Sequence, residues 1–135
     1  HEVLVLINQQ RATGASCGGV TYPAVGALAM NGALQAAARG HSQDMGTRRY
    51  FSHTSPDGQT FMQRISAAGF NGSGPYGENI GAGYPSAAAV VAGWMASPGH
   101  CQNIMANGFR QAGVGYASVA GAPYGSYWTL DFAGG

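Results

Sequence analysis

Apolar residues follow a helical spacing through much of this 135-residue chain and a strand spacing near its end. The clearest helical stripe lies in 34–45, where apolar residues recur every three or four positions. In 114–118 and again in 128–132 apolar residues alternate with others, and Gly121, Pro123 and Gly125 lie between the two runs, as in the turn of an antiparallel hairpin. Helices first and strands last predict an α+β fold with helices packed on a small antiparallel sheet.

Three further helices are predicted from their start and stop signals. Residues 2–12 place apolar side chains on one helical face, and a glycine follows soon after. A short helix is predicted in 60–68, again ending at a glycine. Ser86 can cap an alanine-rich helix that Pro98 prevents from continuing, so this helix should end just before His100.

The composition excludes several classes of protein. An apolar fraction of 45% is too high for a disordered chain, and no apolar run approaches the ~20 residues that would span a bilayer. The six cations, all arginine, are scattered and nearly balanced by five carboxylates, so no basic surface for nucleic acid is expected. We expect one domain over 1–135, monomeric and without a transmembrane segment.

The two cysteines, Cys17 and Cys101, form an even pair in a chain without lysine, which suits an oxidising compartment. Two free thiols are the alternative. The chain opens at His1 without the charged and apolar regions of a signal peptide, so we expect any such peptide to have been removed. Localisation is therefore inferred only indirectly.

Three polar residues are candidates for a functional site. His53 lies in a loop, because a Pro-Asp-Gly turn follows it, and Glu78 lies between a glycine and an asparagine. His100 lies at the start of a helix, where the helix dipole favours the neutral imidazole that binds metal. Each has a plainer explanation: a surface imidazole, an exposed carboxylate at a strand end, and a local cap. His41 is expected to be a satisfied, partly buried histidine, and His1 is uninformative.

Spacing alone does not establish a chemistry. The sequence contains no HExxH, no paired CxxC and no close pair of histidines, so it has no recognised metal motif. It contains no GxSxG elbow, and the cysteines suit a bridge better than a nucleophile. Among the carboxylates, only Asp57 is expected to lie near the candidate residues.

Seven short motifs, taken in order, resemble the CAP superfamily of cysteine-rich secretory proteins, venom antigens and plant pathogenesis-related proteins. The resemblance covers nearly the whole chain and is greatest for the short bacterial branch. The motifs are LINQQR at 6–11, HSQDM at 41–45, FSHT at 51–54, YGENI at 76–80, WMASPGH at 94–100, GVG at 113–115 and YW at 127–128.

The resemblance implies an α-β-α sandwich with a cleft where two histidines and two acidic residues meet, often around zinc or another divalent ion. By motif, His53 and His100 match the two histidines and Glu78 matches one acid, whereas Ser97 stands where eukaryotic members have the second acid. The site would then have three protein ligands, His53, Glu78 and His100, with water in the open position, as catalytic zinc sites do. The resemblance also implies a Cys17–Cys101 bridge beside His100 and a secreted, extracellular or periplasmic protein.

The first hypothesis for function is a binding module that holds a lipid, sterol, glycan or partner protein in the cleft. Aromatic residues that could line a groove are Tyr76, Tyr84, Phe109, Tyr116 and Trp128. The alternative is a metal-dependent hydrolase, a peptidase or nuclease, in which His53, Glu78 and His100 surround a metal-bound water. In a third hypothesis, the metal or polar cluster only braces the cleft.

Overall fold

Helices lie on both faces of a four-stranded sheet in the computed structural model of this protein, which describes residues 2–135. The helices are α1 (Glu2–Thr13), α2 (Gly32–Arg48), α3 (Phe61–Ala67), α4 (Ala87–Ala96) and α5 (Pro98–Met105). The strands are β1 (Ala15–Cys17), β2 (Val20–Tyr22), β3 (Ala29–Met30), β4 (Tyr76–Ala82), β5 (Gln111–Ser118) and β6 (Ser126–Ala133). The α+β class and the four helices predicted from the sequence are confirmed.

The sheet has the strand order β3-β5-β6-β4, and β1 and β2 form a separate antiparallel hairpin. The predicted hairpin is β5–β6, with Val114 opposite Leu130. Strand β4 pairs antiparallel with β6 and forms one edge of the sheet, whereas the short β3 pairs parallel with β5 at the other edge. The two edges therefore differ, and only the β4 edge carries residues that the sequence singled out.

Helix α2 lies directly on β5 because that strand presents glycines to it. A Cβ added to Gly113 would lie 2.1 Å from the backbone N of Gln35, and one added to Gly115 would lie 2.2 Å from the carbonyl carbon of Ala38. Only glycine permits so close an approach. On the same side, the Ser42 hydroxyl donates to the carbonyl of Gly115 at 3.1 Å. The α2 face of the sheet is thus fixed by backbone contact.

The opposite face of the sheet packs against α1, α4 and α5. The core there includes Trp94, Ile104, Leu130 and Phe132. Ser86 caps α4 by accepting from the backbone N–H of Ala89 at 3.1 Å, as the sequence predicted. A single residue separates α4 from α5, so the proline that ends one helix also begins the next.

The Cys17–Cys101 disulfide is present, with a Cα–Cα distance of 5.5 Å. It joins the β1–β2 hairpin to α5, and a Cβ added to Gly18 would lie 3.0 Å from the ring of Pro98. The bridge therefore holds the first loop beside the helix that carries His100, as the resemblance implied.

Arg11 is buried in α1 and, like the disulfide, holds α5 in place. Its guanidinium donates to the carbonyls of Gly26 at 2.7 Å, Ile104 at 2.8 Å, Ala106 at 2.9 Å and Phe109 at 3.3 Å. Burial lowers the pKa of Arg11, yet a guanidinium stays charged at any physiological pH. This cation therefore supplies donors to three carbonyls at and beyond the end of α5 and to one before β3.

Candidate functional site

Glu78 lies in the middle of β4 with its side chain on the α2 face of the sheet. It is directly opposite Asp131, which is in turn opposite Gly113, and residues opposite one another share a face. The side chain of Glu78 is only 1% exposed. The structure therefore excludes the plainer explanation of Glu78 as an exposed carboxylate at a strand end.

Arg64 binds both carboxylate oxygens of Glu78. Its Nη2 donates to Oε1 at 3.1 Å and to Oε2 at 3.0 Å, and also to the backbone carbonyl of His53 at 2.8 Å. The side chain of Arg64 is 8% exposed, so the ion pair is buried. A capping box of Thr60 and Gln63 starts α3 and fixes the turn from which Arg64 projects.

Arg64 was missed by the sequence analysis. Its partner on β4 is distant in the sequence, and no motif marked it. The signal that could have identified it is the single arginine in the predicted helix 60–68.

His53 lies in the loop between α2 and α3, in contact with Glu78. The distance from its Nδ1 to Oε1 of Glu78 is 2.9 Å, so Nδ1–H donates to the carboxylate. Its side chain is 49% exposed, and within residues 2–135 no side chain or backbone group is bonded to its Nε2. The carboxylate thus orients the ring, and Nε2 is the nitrogen available to a ligand.

Asp131 is a second acid next to Glu78, so the expectation that Asp57 is the only one nearby is wrong. Burial, together with a hydrogen bond to Glu78 and the charge of that carboxylate, raises the pKa of Asp131 well above its usual value. No donor in residues 2–135 reaches either of its oxygens, which suits a protonated acid that donates to Glu78. Asp57 instead forms an exposed ion pair with Arg48 at 3.2 Å. An aspartate inside the apolar run of β6 was the signal that could have found it.

The pKa of Glu78 is lowered in spite of burial. Burial alone would raise it, but hydrogen bonds from His53 and Asp131 and the charge of Arg64 outweigh that effect. Glu78 is therefore the charged member of the pair and Asp131 the neutral one.

His100 lies in the first turn of α5, as predicted, on the other side of β4. Its Nδ1 is 3.0 Å from the hydroxyl of Ser97, and its carbonyl accepts from the side chain of Asn79 at 3.2 Å. Burial, and then the charge on His53, lower the pKa of His100, so its imidazole is neutral near pH 7. Because Glu78 and Asn79 point to opposite faces, the edge of β4 carries His53 on one side and His100 on the other.

His41 is fully buried in α2 and satisfied, as the sequence analysis expected. Its Nε2 donates to the carbonyl of Ser52 at 2.8 Å, and burial lowers its pKa. The bond fixes Ser52, the residue before His53, so His41 helps to hold this loop in place. His1 lies outside the described residues.

A cavity of about 240 Å³ opens beside His100. Its floor includes Ile80 and Gly81 of β4, and its walls carry the rings of Phe51, Tyr84, Trp94 and Tyr124. The rings of Phe51 and Tyr124 come from different loops and lie 5.8 Å apart between centroids. Of the five aromatics that the sequence suggested for a groove, only Tyr84 lines this cavity.

The predicted three-ligand metal set was tested against this geometry. Among residues 2–135, no group of three His, Cys, Asp or Glu side chains is arranged to hold a metal ion. Both oxygens of Glu78 instead accept from Arg64. The three residues therefore do not fit a three-ligand site in this arrangement, and metal binding stays a prediction.

A sheet with helices on both faces defines an α-β-α sandwich domain. The chain belongs to the cysteine-rich secretory protein family (CAP), whose family model matches residues 5–132.

It is 36% identical over 107 residues to the uncharacterized protein YkwD of Bacillus subtilis (strain 168), covering 79% of this chain and 39% of that protein. Among solved structures, an extracellular protein containing a SCP domain from Bacillus anthracis has a TM-score of 0.70 and 33% identity, over 81% of this chain and 34% of that one. An outer surface protein of Borrelia burgdorferi has a TM-score of 0.73 at 18% identity, over 98% and 92% of the two chains, and shows the fold alone. This chain thus spans well under half of the first two relatives.

No helix within residues 2–135 is both long and apolar enough to cross a membrane.

Proposed function

We propose that this domain is an extracellular binding module that holds a ligand at the β4 edge, in the cavity beside His100. The cavity is the observation that carries the proposal, because aromatic walls beside a few polar groups are typical of a ligand site. His100 and Ser97 are its polar groups, and the remaining lining is apolar or aromatic. The disulfide and the extracellular relatives support a secreted or periplasmic location.

The size of the cavity limits what it can hold. At about 240 Å³ it lies below the ~300–1,000 Å³ of sites that enclose a whole drug-sized ligand. A sterol or a long acyl chain would not be enclosed, whereas one ring of a glycan or one side chain of a protein would fit. The cavity therefore favours the glycan and protein ligands of the first hypothesis over the lipid ones.

The binding hypothesis is tested with the indole N–H resonances of the two tryptophans. Trp94 lines the cavity and donates to the carbonyl of Ile80 at 2.9 Å, and Trp128 donates to the carbonyl of Tyr84, another lining residue, at 3.0 Å. Titration with N-acetylglucosamine oligomers and, separately, with phosphatidylglycerol vesicles should shift the Trp94 signal only with the oligomers.

Two variants locate the binding surface. Tyr124→Ala should weaken binding at least ~10-fold, since aromatic residues dominate such contacts. Tyr116→Ala removes a ring of similar exposure away from the cavity and should leave binding unchanged. A loss with Tyr116→Ala alone would place the ligand on the other side of the molecule and refute this use of the cavity.

A hydrolase is the second candidate, favoured by the contact of His53 with Glu78. A histidine oriented by a carboxylate through Nδ1 can accept a proton at Nε2. The hydrolase candidate lacks a nucleophile beside His53. In the described chain, the only hydroxyl bonded to His53 or His100 is that of Ser97, which contacts the Nδ1 of His100. A panel of peptide and nucleic-acid substrates, with His53→Ala as the control, decides this candidate, and it is rejected if the wild type releases no more product than His53→Ala.

A further inference from the structure

Arg64 bonds the carboxylate of Glu78, the acid that the resemblance implied as a metal ligand. Its guanidinium bonds both oxygens of the carboxylate, at 3.1 and 3.0 Å, within a buried ion pair. We infer that Arg64 is an internal cation that neutralises Glu78 and keeps this carboxylate out of metal coordination. Of the three ligands that the resemblance implied, His53 and His100 are then left for a divalent ion, and they lie on opposite sides of β4.

Electrostatics supports the exclusion. A zinc ion on a carboxylate oxygen sits ~2 Å from it, which places two like-charged cations on one buried carboxylate. Burial leaves their repulsion poorly screened, and a guanidinium cannot escape it by losing its proton. Metal binding through Glu78 would therefore have to displace Arg64.

Arg64 is also held by contacts other than Glu78. Its Nη1 donates to the carbonyl of Gln59 at 3.3 Å, and its Nη2 donates to that of His53 at 2.8 Å. Moving it aside would leave both carbonyls without this donor and release the loop that carries His53. The arrangement favours the ion pair over the metal.

The two histidines each keep one nitrogen free of protein partners within the described chain. His53 uses Nδ1 for Glu78, and His100 has Nδ1 near Ser97. Two imidazoles completed by water are fewer ligands than the three or four protein ligands of ordinary zinc sites. Zinc affinity of the wild type should therefore be weak.

The test measures zinc alone, by competition with a chromophoric chelator, so its outcome is separate from that of the proposed ligand binding. Arg64→Met should tighten zinc binding by at least ~10-fold relative to the wild type. The double variant Arg64→Met with Glu78→Gln should lose that gain, since the freed carboxylate is its source. Arg39→Met, at an exposed arginine of α2, is the matched control and should bind as the wild type does.

Two results would overturn the inference. The first is a double variant that binds zinc as tightly as Arg64→Met alone, because the freed carboxylate is then not the source of the gain. The second is a folded Arg64→Met variant, by circular dichroism and unfolding midpoint, that binds zinc no tighter than the wild type. If Arg64→Met does not fold, Arg64→Gln replaces it, since the amide keeps a donor for Glu78 without the charge.

Discussion

Two buried arginines, Arg11 and Arg64, use the same functional group in different ways. Arg11 donates to four backbone carbonyls and bonds no carboxylate, whereas Arg64 donates to Glu78 and to the carbonyls of His53 and Gln59. The planar guanidinium serves both purposes because it offers five donors. A buried cation among carbonyls stabilises the path of the chain, while one on a carboxylate also sets the charge of a site.

The largest effect is expected for Arg11→Met, which removes the arginine that bonds only backbone carbonyls. Four carbonyls lose their donor, and because a buried polar group without a partner costs ~1–3 kcal/mol, the free energy of unfolding should fall by about 3–5 kcal/mol. Urea unfolding measures the loss, which should not vary between pH 5 and pH 8. Arg11→Lys keeps the charge with fewer donors and should lose less. A loss below ~1 kcal/mol would mean that these carbonyls find other partners.

Arg64→Met should cost less, about 2–3 kcal/mol at pH 7, because the residue left behind can take up a proton. The charge of Arg64 is one of the causes that lower the pKa of Glu78, so its removal raises that pKa. A lowered pKa contributes stability that is present above the unfolded value of 4.5 and is lost as pH falls through the folded value. The deficit against the wild type should therefore be full at neutral pH and shrink as pH falls below 4.5, unlike that of Arg11→Met. Adding Glu78→Gln removes the buried charge and should flatten the pH dependence. If the stabilities of Arg64→Met and the wild type differ by the same amount at every pH, Arg64 does not set the charge of Glu78.

The contrast also explains what the sequence could predict. Helix caps are local, so Ser86 and the proline after Ser97 identified α4 and the start of α5 correctly. The β5–β6 hairpin was predictable because its alternation and its turn are adjacent in the sequence. Local signals therefore recovered four helices and the β5–β6 hairpin, but not the strands β1 to β4.

The contacts of the site were not predictable in the same way. Strand β4 mixes glycine, acid, amide and apolar residues, so it lacks the alternation of a strand, and its pairing with β6 is distant in sequence. The partnership of Glu78 with Asp131 and Arg64 depends on that pairing and on the docking of α3. The motif resemblance identified His53, Glu78 and His100 but said nothing of the cation beside them.

Asp131→Asn tests the neutral acid that lies beside Glu78, the partner of Arg64. The raised pKa of Asp131 contributes stability that is complete below its unfolded value of 3.8 and is lost as pH rises through the folded value. Asparagine does not titrate, and its amide can donate to Glu78 as the protonated acid does. The stability of the variant relative to the wild type should therefore increase as pH rises above 3.8, measured by thermal unfolding at several pH values. Glu78 and Arg64 also face this group and are unchanged in both proteins, so a constant difference across pH would show that Asp131 does not titrate in this range.

Arg48→Met should have the smallest effect, although Arg48 has more ion pairs than either buried arginine. It bonds Asp44 at 2.7 Å and Asp57 at 3.2 Å, and these carboxylates raise its pKa, but its side chain is 40% exposed. Water and salt screen charges at the surface, and holding long side chains in one geometry offsets the attraction. The urea midpoint of Arg48→Met should therefore match that of the wild type at low and at high salt. A shift as large as that of Arg64→Met would mean that the number of ion pairs, and not burial, sets the contribution of an arginine in this fold.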